Sequence, residues 1–281
     1  MAAMGGSKSL RIGVLGAGRM GRELVAALAR DEGAMLSGVW ARDDGARLLE
    51  GATPAIREAL GRALIGPDLD AVLMRADVAV DFTLPGATPA VLDSVARRGK
   101  PLVCGVSGLD DALMERLRAV AASVPVFQDR NMSFGIAVLT DLVARAAAAL
   151  GAGFAAEVHE THHVHKIDAP SGTALKLGEA LAAARGADFA KVFRYDEQGA
   201  PPRESSADIV FHVRREGEVP GEHTVVFRSD VETVELAHRV THRRVFAEGA
   251  LRAAKWLTGR PPGLYHMRDL AEQIATIATE R

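Results

Sequence analysis

A single cysteine, Cys104, stands in a chain of 281 residues, which excludes an internal disulfide framework and fits a reducing compartment. Charge of one sign is also scarce. The 34 Lys and Arg stand against 36 Asp and Glu, for a net charge of -2. Nothing in that balance suggests a large basic surface for nucleic acid or a membrane. Arginine clusters such as Arg214-Arg215 and Arg243-Arg244 are expected to face small anions or water. No apolar run reaches the length of a membrane span, and the opening MAAMGGSKSL has no apolar core for a signal peptide. The expectation is a cytoplasmic protein with a short, loose N-terminus. No repeat or low-complexity tract is present. What the chain does have is 48% hydrophobic residues, enough for proper cores, and a length comfortable for two domains.

The clearest local signal is LRIGVLGAGRMGRELVAALAR, starting at Leu10. An apolar run from Ile12 to Leu15 reads as a buried strand. Gly16, Gly18 and Gly21 follow as G-x-G-x-x-G, and Leu24, Val25, Leu28 and Ala29 recur at helical spacing. The first glycine permits the tight turn, the second lets backbone approach a pyrophosphate, and the third lets helix pack closely on strand. The helix N-terminus adds amide hydrogens and partial positive charge. The loop Gly16, Ala17, Gly18, Arg19, Met20 and Gly21 is therefore expected to hold a dinucleotide.

More strands follow at AMLSGVW, DVAVDFT, PLVCGVSG and VPVFQ, with helices at 89–97 and 111–121 between the later ones. The region 57–75 reads as short helices and loop. Such alternation predicts a parallel Rossmann-type sheet covered on both faces. Ligands then sit outside the strands' carboxyl ends, near the loops after Phe82, Cys104 and Phe127. The second strand ends in VWARDD, so Arg42 precedes Asp43 and Asp44. An arginine there can take the 2′-phosphate of NADP. NADPH is the expected cofactor, with NADH the alternative; the plainer reading has Arg42 in solvent.

Beyond NMSFG at 131–135 the pattern changes. A helix over 136–150 precedes strand-like FAAEVHE, ADIVFHVRR, HTVVFRS and ETVELAHR, with few helices between them. This predicts an α+β domain with an open mixed sheet over 131–242. The helical RVFAEGALRAAKWL and HMRDLAEQIATIA are expected to pack back on the first domain, joining 243–281 to 9–130. Residues 197–206 read as a surface loop.

The second half carries ETHHVHKIDAPSGTAL, from Glu160 to Leu175. As a strand over 157–163 it would place His162, Val164 and Lys166 on one face, and His163 and His165 on the other. The Asp-Ala-Pro that follows breaks the strand. Ser171 is a natural N-cap, and Ala174, Leu177 and Leu181 give the next helix an apolar stripe. The amides of Gly172 and Thr173 would face outward at its N-terminus, ready for a carboxylate. Three readings compete. Metal binding lacks a convincing ligand set, and the lysine would repel a cation; a polar strand end is the plain reading. An acid/base and anion site uses all the residue types present. No metal is expected.

GAGRMG, DFT, CGVSG, NMSFG, HHVHKIDAPSGTAL and GLYHMRDL occur in that order. Together they closely resemble the bacterial dihydrodipicolinate (4-hydroxy-tetrahydrodipicolinate) reductase family of lysine and diaminopimelate biosynthesis, over nearly the whole chain. The resemblance implies hydride transfer from NAD(P)H to a cyclic imine bearing two carboxylates. It assigns His162 as proton donor, Lys166 as proton donor or electrostatic aid, His163 as a substrate contact, and Gly172 and Thr173 as carboxylate-binding amides. Gly105, Val106 and Ser107 match the nicotinamide-side loop, and Asp129, Arg130, Asn131 and Met132 the hinge loop. Closure is expected about hinges near Asn131 and Thr241. A homotetramer, joined through substrate-domain sheets, is also implied. Three departures stand out. The glycine loop is a residue shorter than in many members. Ala41 occupies the place of an acid, which points towards NADPH. GVSG replaces GTTG, so Val106 lacks a hydroxyl. His159 lies outside the motif and is taken as structural. The rival readings are another nicotinamide-dependent dehydrogenase, such as one acting on amino acids, and a non-enzymatic NADP-binding regulator.

Overall fold

The structure, a computed structural model, describes residues 9–42, 45–195, 205 and 207–279. Asp43, Asp44, the N-terminal segment and all of the expected 197–206 loop but Ser205 lie outside the described residues. The chain divides into two compact units, 1–133 with 244–281 and 134–243.

In chain order the first unit begins with β1 (Leu10–Leu15), α1 (Arg19–Leu28), β2 (Ala34–Trp40), α2 (Pro54–Arg62), β3 (Leu64–Gly66), α3 (Leu69–Arg75) and β4 (Val78–Asp81). It continues with α4 (Thr88–Arg98), β5 (Leu102–Cys104), α5 (Asp111–Ala121) and β6 (Pro125–Gln128). The second unit holds α6 (Phe134–Leu150), β7 (Ala155–His162), α7 (Gly172–Ala184), α8 (Phe189–Val192), β8 (Phe193–Arg194), β9 (Ile209–Arg215), β10 (Glu222–Arg228) and β11 (Thr233–Arg239). The chain then returns to the first unit as α9 (Arg244–Leu257), β12 (Gly263–Tyr265) and α10 (Met267–Thr279).

The first unit is a seven-stranded sheet in the order β12-β6-β5-β4-β1-β2-β3, with all its pairs parallel. Its central strands are apolar and buried, as a sheet covered on both faces requires: Val78, Ala79, Val80 and Val103 are fully buried, and Leu102 nearly so. Helix starts are set by side chains that accept amide hydrogens: Asp68 from Ala71, Asp110 from Leu113 and, less closely, Thr53 from Ile56. The expected Rossmann-type sheet is present. Within 57–75, however, β3 stands between two helices and adds an edge strand. It and β12 are three residues long, too short to show a period.

The second unit is the expected open mixed sheet, in the order β11-β10-β7-β9-β8. β10 runs antiparallel to β7 and β11, while β9 runs parallel to β7 and β8. Burial alternates along β7: Ala156, Val158, Glu160 and His162 are buried, and the residues between them are less so. Ala156 and Val158 join the core made with α6 and α7. One sequence expectation needs correcting. The segment Phe134–Gly153 is long and apolar enough to cross a membrane by length and composition. Its Ile136, Leu139, Val143 and Ala147 instead pack in this core.

Candidate active site

The glycine turn behaves as its spacing predicts. Gly16 has a φ of 101°, a left-handed conformation that favours glycine, and its N–H donates to the Trp40 carbonyl at 2.9 Å. A Cβ on Gly21 would lie 1.9 Å from the Gly16 carbonyl oxygen, whereas one on Gly18 would meet nothing within 4 Å. Helix α1 therefore packs against the turn at Gly21, and space is open at Gly18 beside the helix N-terminus. A pocket of about 380 Å³ there is lined by Ala17, Gly18, Arg19, Arg22, Arg47 and Glu50. Arg22 pairs with Glu50 at 3.2 Å. Open backbone, a helix N-terminus and three guanidiniums fit the phosphates of a dinucleotide. Arg42 is exposed and is not among the six lining residues. Arg47, which sequence reading missed, is among them. It sits on a short 3-10 turn at Ala46–Leu49 that carries no motif.

The other predicted cofactor residues are placed unevenly. Val106 is buried in the first unit's core, so its side chain packs rather than hydrogen-bonds. Gly105 lies against the Phe82 ring, where a Cβ would come within 2.3 Å, and Ser107 is exposed. Asp129 accepts from the Met267 N–H at the start of α10, at 3.2 Å, and Met132 is buried. Of that loop, Arg130 is exposed and Asn131 half-buried. Burial lifts the Asp81 carboxyl to about 6, and burial next to Asp81 lifts the Cys104 thiol to about 12.

In the second unit, β7 stops at His162. The Lys166 N–H donates to the His163 carbonyl at 3.1 Å, so 163–166 forms a turn. A regular strand would have put Lys166 on the face of His162; the turn cancels that alternation. Lys166 Nζ instead donates to both Asp168 oxygens, at 2.7 and 2.8 Å. His163 is half-buried. Burial, then the charge of Arg243, push its pKa below the usual histidine value. Ser171 caps α7, accepting from the Ala174 N–H at 3.2 Å, so Gly172 and Thr173 are its first residues.

Glu160, unremarked in the sequence, is the centre of this region, and its side chain is fully buried. Oε1 accepts from the Ser171 N–H at 3.0 Å and from both terminal nitrogens of Arg215 at 3.3 Å. Oε2 stands 3.1 Å from His162 Nδ1. Burial opposes its charge, but His162 and Ser171 outweigh it and hold the carboxyl at about 2. Arg215 also donates to the Lys166 carbonyl at 3.3 Å and the Asp168 carbonyl at 2.5 Å. This corrects the expectation that it faces anions or water: its guanidinium ties the turn to the sheet. The other face of His162 meets Gly221, whose φ is 153°. A Cβ on Gly221 would lie 3.0 Å from His162 Nε2. Neither Arg215 nor Gly221 carries a local signal, because their partners lie in other strands.

Among the described residues, two trios have the residue types and spacing for a metal: Glu160, His162 and His223, and Glu157, His159 and His212. In the first, Oε1 is engaged by the Arg215 guanidinium, which repels a cation. In the second, the imidazoles stack 4.2 Å apart with their planes 11° from parallel. Ring lone pairs lie in the ring planes, so an ion between the stack would sit well off both. His159 Nε2 contacts Glu157 at 3.0 Å.

His223 lies under the site, with Nε2 3.2 Å from Ser171 Oγ. Burial, then the His162 charge, lower it to about 3 from 6.5. Its folded value is below the unfolded one, so between 6.5 and 3 the unfolded chain holds the extra proton. Stability is therefore lost as pH falls through that window. At about pH 5 the expected loss relative to about pH 7 is about 2 kcal/mol from this residue. Urea unfolding at the two pH values, with His223→Asn losing less than the parent, checks this; equal losses would refute it.

A glycine turn feeding a helix at the carboxyl end of a parallel sheet, with a second unit offering an imidazole, cations and a helix N-terminus, defines a dinucleotide-dependent oxidoreductase. Residues 10–132 match the family model described as dihydrodipicolinate reductase, N-terminus, and residues 135–271 the one described as dihydrodipicolinate reductase, C-terminus. The chain belongs to the dihydrodipicolinate reductase family. The 4-hydroxy-tetrahydrodipicolinate reductase of Halorhodospira halophila is 41% identical over 263 residues, covering 93% of this chain and 98% of the relative. That of Thiobacillus denitrificans is 42% identical with the same coverage. In fold, the chain resembles the dipicolinate-bound dihydrodipicolinate reductase from Paenisporosarcina sp. TG-14. The TM-score is 0.71 at 20% identity, over 92% of this chain and 98% of that one. An amine dehydrogenase from Mycobacterium smegmatis gives 0.62 at 15% identity, over 93% and 96%.

Proposed function

We infer that the chain reduces 4-hydroxy-tetrahydrodipicolinate, through its dehydrated cyclic imine, to tetrahydrodipicolinate, in the diaminopimelate route of lysine biosynthesis. The observation that carries this reading is the junction of His162, at the end of β7, with the Ser171-capped start of α7, on a chain with relatives named for this activity.

NADPH, when bound, supplies a hydride. The glycine turn and Arg19, Arg22 and Arg47 would hold its phosphates. The guanidiniums support NADPH over NADH, because a 2′-phosphate gains charge-assisted hydrogen bonds there. His162 donates a proton to the charge that builds on the substrate ring, and His163 contacts the substrate. The Gly172 and Thr173 amides orient a carboxylate at the positive end of α7. Lys166 lowers the cost of negative charge, and its pairing with Asp168 sets its resting place. The sheet face of the second unit opposite α6 and α7 supports a homotetramer, since it presents half-buried residues such as Glu157 and His159. A cytoplasmic location belongs to the same reading.

The test is a coupled assay fed by the product of dihydrodipicolinate synthase, with NADPH and NADH oxidation followed separately. Oxidation of NADPH at the higher kcat/KM is expected. Equal values would remove the cofactor preference, and oxidation of neither would remove the function.

A further inference from the structure

Two buried polar atoms face each other at the end of β7. Glu160 Oε2 and His162 Nδ1 are 3.1 Å apart, and neither has a hydrogen-bond partner among the described residues. Buried polar atoms are rarely left in that condition. Oε2 also stands 3.8 Å from His223 Nε2, but that nitrogen already meets Ser171 Oγ at 3.2 Å. The other carboxylate oxygen is fixed by the Ser171 N–H and by Arg215, so the group cannot turn away without breaking those bonds.

We propose that Glu160 is a positioning residue for the reduction: its carboxylate accepts the Nδ1 hydrogen of His162 and so commits Nε2, on the Gly221 side, to the substrate. The inference rests on His162 being the proton donor. The imidazolium gives up its Nε2 hydrogen, the electron pair of that N–H bond stays on Nε2, and a new bond to hydrogen forms on the substrate. What is left is the neutral ring protonated at Nδ1, the one tautomer that Glu160 accepts. The same carboxylate takes the Ser171 N–H, at the cap of the helix whose first amides are assigned to the substrate carboxylate. One buried charge thus fixes the acid and the anion cradle relative to each other, which is the use of pre-organisation in catalysis.

Glu160→Gln tests this with little change of shape. Its single oxygen is needed by Ser171 and Arg215, both of which donate. The amide NH₂ is then turned to His162 Nδ1, where it demands a lone pair and forces the Nε2–H tautomer. A fall in kcat of about 100-fold or more is expected, with NADPH affinity within about twofold of the parent. Nitrogen-15 NMR of His162 should show Nδ1–H in the neutral parent enzyme and Nε2–H in the variant. A kcat within about threefold of the parent, beside an inactive His162→Gln, would overturn the role of Glu160 alone. A turning-over His162→Gln would overturn the acid assignment and this inference together. The parent spectrum needs no variant to fold: Nε2–H in the neutral enzyme would refute the proposal outright.

Discussion

His162→Gln is expected to lower kcat by about 10²–10⁴-fold, the range a positioned general acid contributes. Glutamine has no titratable nitrogen, so it cannot hold a proton ready and release it when charge develops on the substrate. The fold should tolerate the change. Glu160 is buried and charged, and stranding it would cost several kcal/mol; the glutamine amide can still donate to Oε2, so the carboxylate keeps a partner. Affinity for the nicotinamide dinucleotide should hold, because the residues expected to bind it belong to the other unit. Steady-state NADPH oxidation alongside a thermal melt separates these effects. Near-normal turnover would remove His162 from the proton-donor role, and a collapsed melt would mean that its part is structural.

Gly21→Ala should do comparable damage by a different route. The added methyl would lie 1.9 Å from the Gly16 oxygen and 2.9 Å from its carbonyl carbon. Both atoms are backbone, in a turn whose N–H is bonded to Trp40, so no side chain can rotate to relieve the clash. Helix α1 must move off β1. Overpacking of this kind costs about 1–3 kcal/mol or more, a fall in Tm of about 2–10 °C at this size. Displacing the helix N-terminus should also weaken nicotinamide dinucleotide binding by about 100-fold. Gly18→Ala is the control, because its methyl would meet only open space. It should melt as the parent does and lose affinity alone. If Gly21→Ala kept both the parent melt and the parent affinity, the close-packing account of the turn would be wrong.

The pattern of what the sequence disclosed follows from the range of the forces involved. The glycine turn is local: strand, turn and helix lie within one short window, and each glycine has its own steric reason. The Ser171 cap and the apolar stripe of α7 are local in the same way. β3 and β12 were not legible, because three residues at sheet edges need no alternation and take their pairing from β2 and β6. Lys166 was misplaced because strand periodicity was extended past His162, where the hydrogen bond from Lys166 to His163 bends the chain. Glu160 reads as one more residue of a polar strand. Its importance appears only when β9 is laid beside β7 and brings Arg215 to it across 55 positions. Arg47 was hidden for the same reason: nothing within its own turn announces that it lies near Gly18.

The path of the chain through the first unit bears on the order in which the protein is made. Its sheet is left at Ser133 and finished after Arg244, where β12 pairs with β6 and α9 lies against α1 and strands β4, β5 and β6. A chain emerging from the ribosome therefore completes the contiguous second unit first. Until 244–281 appear, the apolar surfaces that α9 covers with Ala247, Ala250, Leu251, Ala254 and Leu257 are open to water. Gly249 makes the final fit a narrow one, since a Cβ there would lie 1.7 Å from the Met132 oxygen. The nucleotide-binding unit is begun first and closed last, and pairing at long sequence separation is the slow kind. In biosynthetic terms, the interval in which apolar surface stands uncovered belongs to the Rossmann unit rather than to the unit inserted in it.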